Sequence, residues 1–184
     1  MNSIVRNIYM SDTSNEGAAV AAEHFTAAMA QAATGVSIVT TDGKGGRFGM
    51  TVSAIASVSA EPPLVLACLN RRSPMVEAVG ENRIFCVNLL CTAHRTLSDK
   101  FSGRPHSGDP YGFDDELWGR EVTGAPVLHG ALAQFDCTLE SAHDAGSHRI
   151  IIGRVHHAAS TENAPLVYNA REYQQLTQLQ DFDL

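Results

Sequence analysis

The residues with the most chemistry per unit length lie between Gly49 and Ser73, in "GMTVSAIASVSAEPPLVLACLNRRS". Two strand-like runs flank Glu61-Pro62-Pro63, and they carry Thr51, Ser53, Ser57, Ser59, Asn70, Arg71, Arg72 and Ser73 among apolar residues. Small hydroxyls and strand-end amides can hydrogen-bond a phosphate or the edge of a heterocycle. A helix starting at "SPMVEAV" adds an anion-friendly N-terminus with Ser73 beside it. The competing reading is that these hydroxyls face solvent on alternating strands, and pattern alone leaves both open.

Other catalytic signatures fail on inspection. No G-x-S-x-G elbow and no G-K-S/T phosphate loop is present. Gly43, Gly45, Gly46 and Gly49 do not form a dinucleotide fingerprint, because Phe48 occupies the third required position and no helix follows. A hairpin turn around Asp42-Gly43 explains them better. Of the 8 histidines, His156 and His157 are adjacent on a strand-like run and point to opposite faces, while His143 and His148 flank a turn. Two ligands do not make a metal site, so no metal is expected. A chain without acid–base or nucleophile machinery but with a polar-decorated β segment fits chemistry carried by a bound cofactor that the protein positions.

The elements that hold this stretch read as one globular domain. The 184 residues are 44% hydrophobic and 18% charged, enough for a core without staples. Residues 1–15 read as a flexible arm and 16–184 as the domain. A net charge of −7 with no Lys/Arg run disfavours nucleic acid and membrane surfaces as partners. No apolar run reaches the roughly 18 residues of a membrane span, and the N-terminus has no continuous apolar segment of a secretory signal. Cys68, Cys86, Cys91 and Cys137 form no C-x-x-C pair and read as small core residues in a reducing compartment, which makes the expected location cytoplasmic.

"NEGAAVAAEHFTAAMAQA" has helical spacing, with Val20, Phe25 and Met29 on its apolar side. "GVSIVTT", "MTVSAIASVSA" and "PLVLACLN" read as strands, the first with Val36, Ile38 and Thr40 on one face. A short helix follows, capped by Ser73 with Pro74 at its first position, then the strand "RIFCVNLL" and a helix from Thr92 to Gly103. Residues 104–124 read as a long surface loop or lid. "ALAQFDCTLESAHDAGSHRIIIGRVHHAAS" gives two long strands turning near Asp144-Ala145-Gly146, and "PLVYNAREYQQL" a short strand pair. Without strand–helix alternation, a mainly β antiparallel barrel with short helices at its ends is the expected class.

"ATGVSIVTT", the Gly49–Ser73 stretch, "FCVNLL", "GAPVLHGALAQFDC" and "AGSHRIIIGRV" stand in an order that resembles the short-chain flavin reductases. These are the reductase components of two-component aromatic monooxygenases of the hydroxyphenylacetate, phenol and chlorophenol type. The likeness runs over about residues 25–175. It implies an FMN-binding split barrel, homodimeric, with FAD or FMN near the subunit interface. The carried-over flavin contacts are Thr51, Val52, Ser53 and Ala54 along the isoalloxazine and ribityl chain, with Ser57 adding a hydroxyl. Leu69, Asn70 and Ser73 would hold the ribityl-phosphate end, and Asn88, Lys100 and Phe101 match further positions near the flavin.

The family's G-D-H signature for the pyridine nucleotide appears as Gly146-Ser147-His148, with Ser in place of Asp. The resemblance gives His148 a hydrogen bond to the nicotinamide or its linking phosphates. It makes NADH the expected donor, and the Asp-to-Ser change leaves NADPH open. The implied reaction is hydride transfer to FAD or FMN, with free reduced flavin passed to a separate aromatic monooxygenase. A non-enzymatic flavin carrier or sensor would use the same pocket. A split-barrel oxidase of a vitamin B6 phosphate would want clustered basic residues, and Arg71-Arg72 is the one adjacent basic pair.

Overall fold

A two-residue link decides the shape of the sheet. In the computed structural model, which describes residues 19–177, β3 (Phe48–Val52) is followed by Ser53-Ala54 and then β4 (Ile55–Ala60). These two strands are opposite edges of one seven-stranded antiparallel sheet ordered β3-β2-β6-β9-β10-β5-β4. Its other members are β2 (Ser37–Thr41), β5 (Pro63–Asn70), β6 (Ile84–Leu89), β9 (Ala133–Ala145) and β10 (His148–Ser160). In a flat sheet the edges would stand six spacings of about 4.8 Å apart, roughly 29 Å. The link from Val52 to Ile55 spans at most about 11 Å. The sheet therefore has to curl until its edges approach. No ladder joins β3 to β4 or β5 among the described residues, so the curl stays open along that seam rather than closing into a barrel.

The single strand expected over "MTVSAIASVSA" is thus two strands, broken at Ser53-Ala54 and serving opposite edges. The one-faced burial expected for "GVSIVTT" also gives way, since all five residues of β2 are buried. β2 is internal and covered on both faces. Val39 joins a core with Met75, Val76 and Val79 of α2 (Met75–Asn82), whereas Ile38 joins one with Leu97 and Phe101 of α3 (Arg95–Phe101). α2 starts one residue later than expected: Pro74 flanks it, and the Ser73 hydroxyl accepts from the Met75 N–H at 3.3 Å. α3 follows a 3-10 turn over Thr92–His94 and is ended by Gly103, whose φ of +81° suits glycine.

Residues 104–124 are not simply a surface loop. Phe113 and Trp118 make edge-on contacts with Phe101 at centroid distances of 5.0 and 5.5 Å. β7 (Trp118–Arg120) pairs with β8 (Pro126–Leu128). The aromatics hold the segment against α3, beyond what turn-rich composition can indicate. Near the chain ends, β1 (Thr34–Gly35) pairs with β11 (Val167–Asn169), which forms a hairpin with β12 (Glu172–Gln174). The first helix, α1 (Ala22–Met29), has no buried residue. The expected arm over 1–15 lies outside the described residues.

Candidate functional site

The open seam is a cavity. Between β3 and β5 the structure leaves about 640 Å³, floored by the curled sheet and closed at one end by α3. β3 contributes Phe48, Gly49, Met50, Thr51 and Val52, and the link contributes Ser53 and Ala54. β5 alternates, so Cys68 and Asn70 line the cavity while Leu69 between them is fully buried in the core. Arg72, Ser73 and Pro74 bring the approach to α2 to the rim. Phe101, Ser102, Tyr111 and His148 complete the wall.

Several of these positions are fixed by specific contacts. A Cβ at Gly49 would lie 2.5 Å from the Phe101 ring, so glycine is what lets α3 approach β3 this closely. The Thr51 hydroxyl donates to the Ser98 carbonyl at 2.8 Å, tying strand to helix and engaging the only side-chain donor on β3 apart from backbone groups. Asn70 Oδ1 accepts from the Arg72 N–H at 3.0 Å and shapes the turn. His148 is the register partner of Asn70 across the β5–β10 pair, which sets it at the cavity mouth, with Nδ1 2.9 Å from the Ser147 hydroxyl. Burial raises the thiol pKa of Cys68, so it is a neutral wall residue at physiological pH.

The structure gathers Thr51, Val52, Ser53, Ala54, Asn70, Ser73, Phe101 and His148 around one cavity. It sets the other predicted residues elsewhere. Ser57 is exposed on the edge strand β4. Asn88 is fully buried and satisfied: its amide nitrogen donates to the Ile38 carbonyl at 3.1 Å, and its oxygen accepts from the Leu128 N–H at 2.8 Å. Its side chain joins β2, β6 and β8 and does not reach the cavity. Lys100 neighbours the wall without lining it, and Gly146 and Ser147 form the hairpin tip just outside. Sequence reasoning passed over Phe48, Met50, Cys68, Arg72, Ser102 and Tyr111. For Met50 and Cys68 the signal was available, since they alternate in step with Val52 and Asn70.

Among the described residues no three His, Cys, Asp or Glu side chains gather as a metal site. His143 pairs with Ile150 and His148 with Ala145, so the two histidines sit at different levels of the hairpin. No helix among the described residues is long and apolar enough to cross a membrane.

The curled antiparallel sheet thus leaves, along its open seam, a cavity of small-molecule size. The chain belongs to the flavin reductase like domain family, whose model matches residues 29–177. It is 43% identical over 164 residues to the FMN reductase (NADH) RutF 2 of Methylorubrum extorquens strain PA1, covering 89% of this chain and 94% of that one. Its fold is similar to that of the flavin reductase PheA2, with a TM-score of 0.78 and 34% identity over 86% of this chain and all (100%) of that one. It is also similar to the styrene monooxygenase flavin reductase SMOB of Pseudomonas putida S12, with a TM-score of 0.74 and 29% identity over 85% of this chain and 99% of that one.

Proposed function

We propose that the protein is an NADH-dependent flavin reductase that reduces FMN or FAD in the β3–β5 seam and releases the reduced flavin to a separate monooxygenase. The observation that carries the reading is the cavity itself, with its graded lining. A volume of about 640 Å³ falls in the range of about 300–1,000 Å³ for small-molecule sites. One side is apolar, from Phe48, Met50, Val52 and Phe101, and suits a flat heterocycle. The other is polar, from Ser53, Asn70, Arg72, Ser73 and the start of α2, and suits a polyol phosphate. Arg72 has no carboxylate within 4.0 Å among the described residues, which leaves its charge for a ligand anion. These residues fit a flavin.

A bound flavin supplies the acceptor for a hydride from a reduced nicotinamide. The protein's share is positional. At the break between strands the Ser53 and Ala54 carbonyls accept from the Ile55 and Cys68 N–H groups at 3.3 and 3.0 Å, which leaves the N–H groups of Ser53 and Ala54 for a ligand. Phe101, held by Phe113 and Trp118, gives the cavity a rigid end wall. His148 at the mouth takes the nicotinamide side, with Gly146 and Ser147 supplying the turn that presents it. Leu69 contributes through its backbone, and Lys100 through the helix that carries Phe101.

The finer reading is a split-barrel homodimer, and α1 with the residues just before it supports it. Val20, Phe25 and Met29 are 63%, 56% and 55% exposed on one chain, an apolar face that a second copy would cover. Four free cysteines, three of them buried, support a cytoplasmic location. The relative SMOB, named for a styrene monooxygenase, supports an oxygenase as the consumer of reduced flavin.

The test is steady-state oxidation of NADH and NADPH with added FMN, FAD or no flavin. Turnover that requires added flavin and favours NADH is expected. Tight flavin binding without any acceleration of NADH oxidation would replace this reading with a flavin carrier.

A further inference from the structure

On the far side of α3 from the seam lies a second recess of about 510 Å³, between the helix and the β11–β12 hairpin. It shares no lining residue with the seam cavity. Arg95 and Arg104, from the two ends of the α3 segment, and Arg171, from the β11–β12 turn, line it. Among the described residues none of the three has a carboxylate within 4.0 Å, whereas Arg47, Arg71, Arg120, Arg149 and Arg154 all do.

Two carboxylates, Asp99 and Glu172, line the same recess, neither of them within 4.0 Å of these guanidiniums. Asp99 accepts from the Tyr173 hydroxyl at 2.9 Å and stands 3.1 Å from His106 Nε2. Glu172 forms no ion pair among the described residues. Three guanidiniums against two carboxylates leave the recess one formal positive charge, on a chain of net charge −7. The floor is aromatic: the Tyr168 and Tyr173 rings meet edge-on at 5.4 Å, and the Arg95 guanidinium lies 5.5 Å from the Tyr173 centroid. Arg171 is presented by a turn in which Ala170 and Arg171 both have positive φ, 50° and 66°. Positive φ at both positions is what the two-residue loop of the β11–β12 hairpin requires, so the turn fixes where Arg171 stands.

Guanidinium forks match phosphate oxygens in pairs, and a tyrosine face accepts a nucleobase. We propose that this recess is a second ligand site, one that binds a nucleotide phosphate with Arg95, Arg104 and Arg171 on the phosphate and the tyrosine floor beneath the base. The site does not rest on the flavin assignment. The adenylate halves of FAD and of NADH both carry this chemistry.

The experiment is calorimetric titration of the full chain with AMP, with adenosine and inorganic phosphate as part-ligands. AMP should saturate, and Arg95→Gln with Arg171→Gln should weaken it by about tenfold or more, as expected for lost charge-assisted bonds. FMN affinity should stay within about twofold in the same variant, whose replaced side chains are exposed. Displacement of AMP by FAD but not FMN, or by NADH alone, supports the site and names its natural source. Absence of saturable AMP binding overturns the proposal. So does AMP binding that His148→Ala abolishes and the arginine variant retains, because the nucleotide then sits in the seam.

Discussion

The main-chain N–H of Arg71 donates to the carbonyl of Ser147 at 3.0 Å, one residue before His148. The same arginine donates from Nη1 to the Gly146 carbonyl at 3.1 Å, and its Nη2 lies 3.4 Å from Asp144. The turn after β5 thus grips the tip of the β9–β10 hairpin from both sides of the glycine. Asp144 is kept below the usual carboxylate range chiefly by its hydrogen bond from Arg149. A depressed carboxylate contributes above its unfolded pKa and is lost as pH falls through the folded value, so the clamp is complete at neutral pH and loosens only in acid.

Arg71→Ala should leave the Arg71–Ser147 main-chain bond and remove the side-chain grip. The ion pair is exposed on both sides, so stability should change little. The expected kinetic effect is a KM for NADH raised about threefold to tenfold with kcat little changed. Steady-state kinetics together with a denaturant midpoint checks both, and an unchanged KM would show that the clamp does not govern His148.

His148→Ala should lower kcat/KM for NADH by about tenfold, a loss of about 1.4 kcal/mol of transition-state stabilisation. Half-saturation by FMN should stay within about twofold, because the histidine stands at the mouth and not along the apolar wall. If NADH turnover and half-saturation are both untouched, the nicotinamide role of His148 is dead.

Cys68 should be the thiol that alkylates in the native protein, and added FMN should protect it, since it lines the cavity while Cys86, Cys91 and Cys137 are buried. Mass spectrometry after brief alkylation, with and without flavin, reads this directly; equal labelling in both would place the flavin elsewhere. Burial pushes the Cys137 thiol up to about 12. Its folded pKa lies above its unfolded one, so its contribution is complete below the unfolded pKa of roughly 9 and declines as pH rises toward the folded value. Labelling of the buried thiols should therefore accompany alkaline unfolding and not precede it.

Asn88→Ala should cost stability rather than flavin affinity. It deletes the bonds to Ile38 and Leu128 and leaves a buried N–H at Leu128 without a partner. A loss of about 2–4 kcal/mol in a denaturant titration is expected, with the flavin dissociation constant of the folded fraction unchanged.

Gly49→Ala forces a Cβ against Phe101, whose ring is already boxed by Phe113 and Trp118. Overpacking of this kind costs about 1–3 kcal/mol, and the displaced ring would narrow the end of the cavity. Weaker FMN binding alongside a lowered thermal midpoint is the expected pair of results, measured by flavin fluorescence and calorimetry.

Much of the cavity lining was legible in the chain because its groups are local. Thr51–Ala54 are consecutive, Asn70 and Ser73 share one turn, and the hairpin tip at His148 is announced by Gly146. Asn88 misled because an amide in an apolar strand looks the same whether it faces a ligand or bridges strands. Its partners Ile38 and Leu128 lie 50 and 40 residues away. The aromatic anchors Phe113 and Trp118 were hidden in a segment whose Gly, Pro and Asp content dominates any pattern reading.

Local sequence was enough for the helices, most of the longer strands, the β-rich class and the polar stretch that lines the cavity, because turn chemistry and side-chain alternation act over a few residues. Tertiary structure alone decided that Ser53-Ala54 joins opposite sheet edges, and so that the sheet curls around an open seam. That outcome depends on strand order, and strand order is set by pairings such as β2 with β6 and β5 with β10, between segments far apart in the chain. No short window of residues contains it.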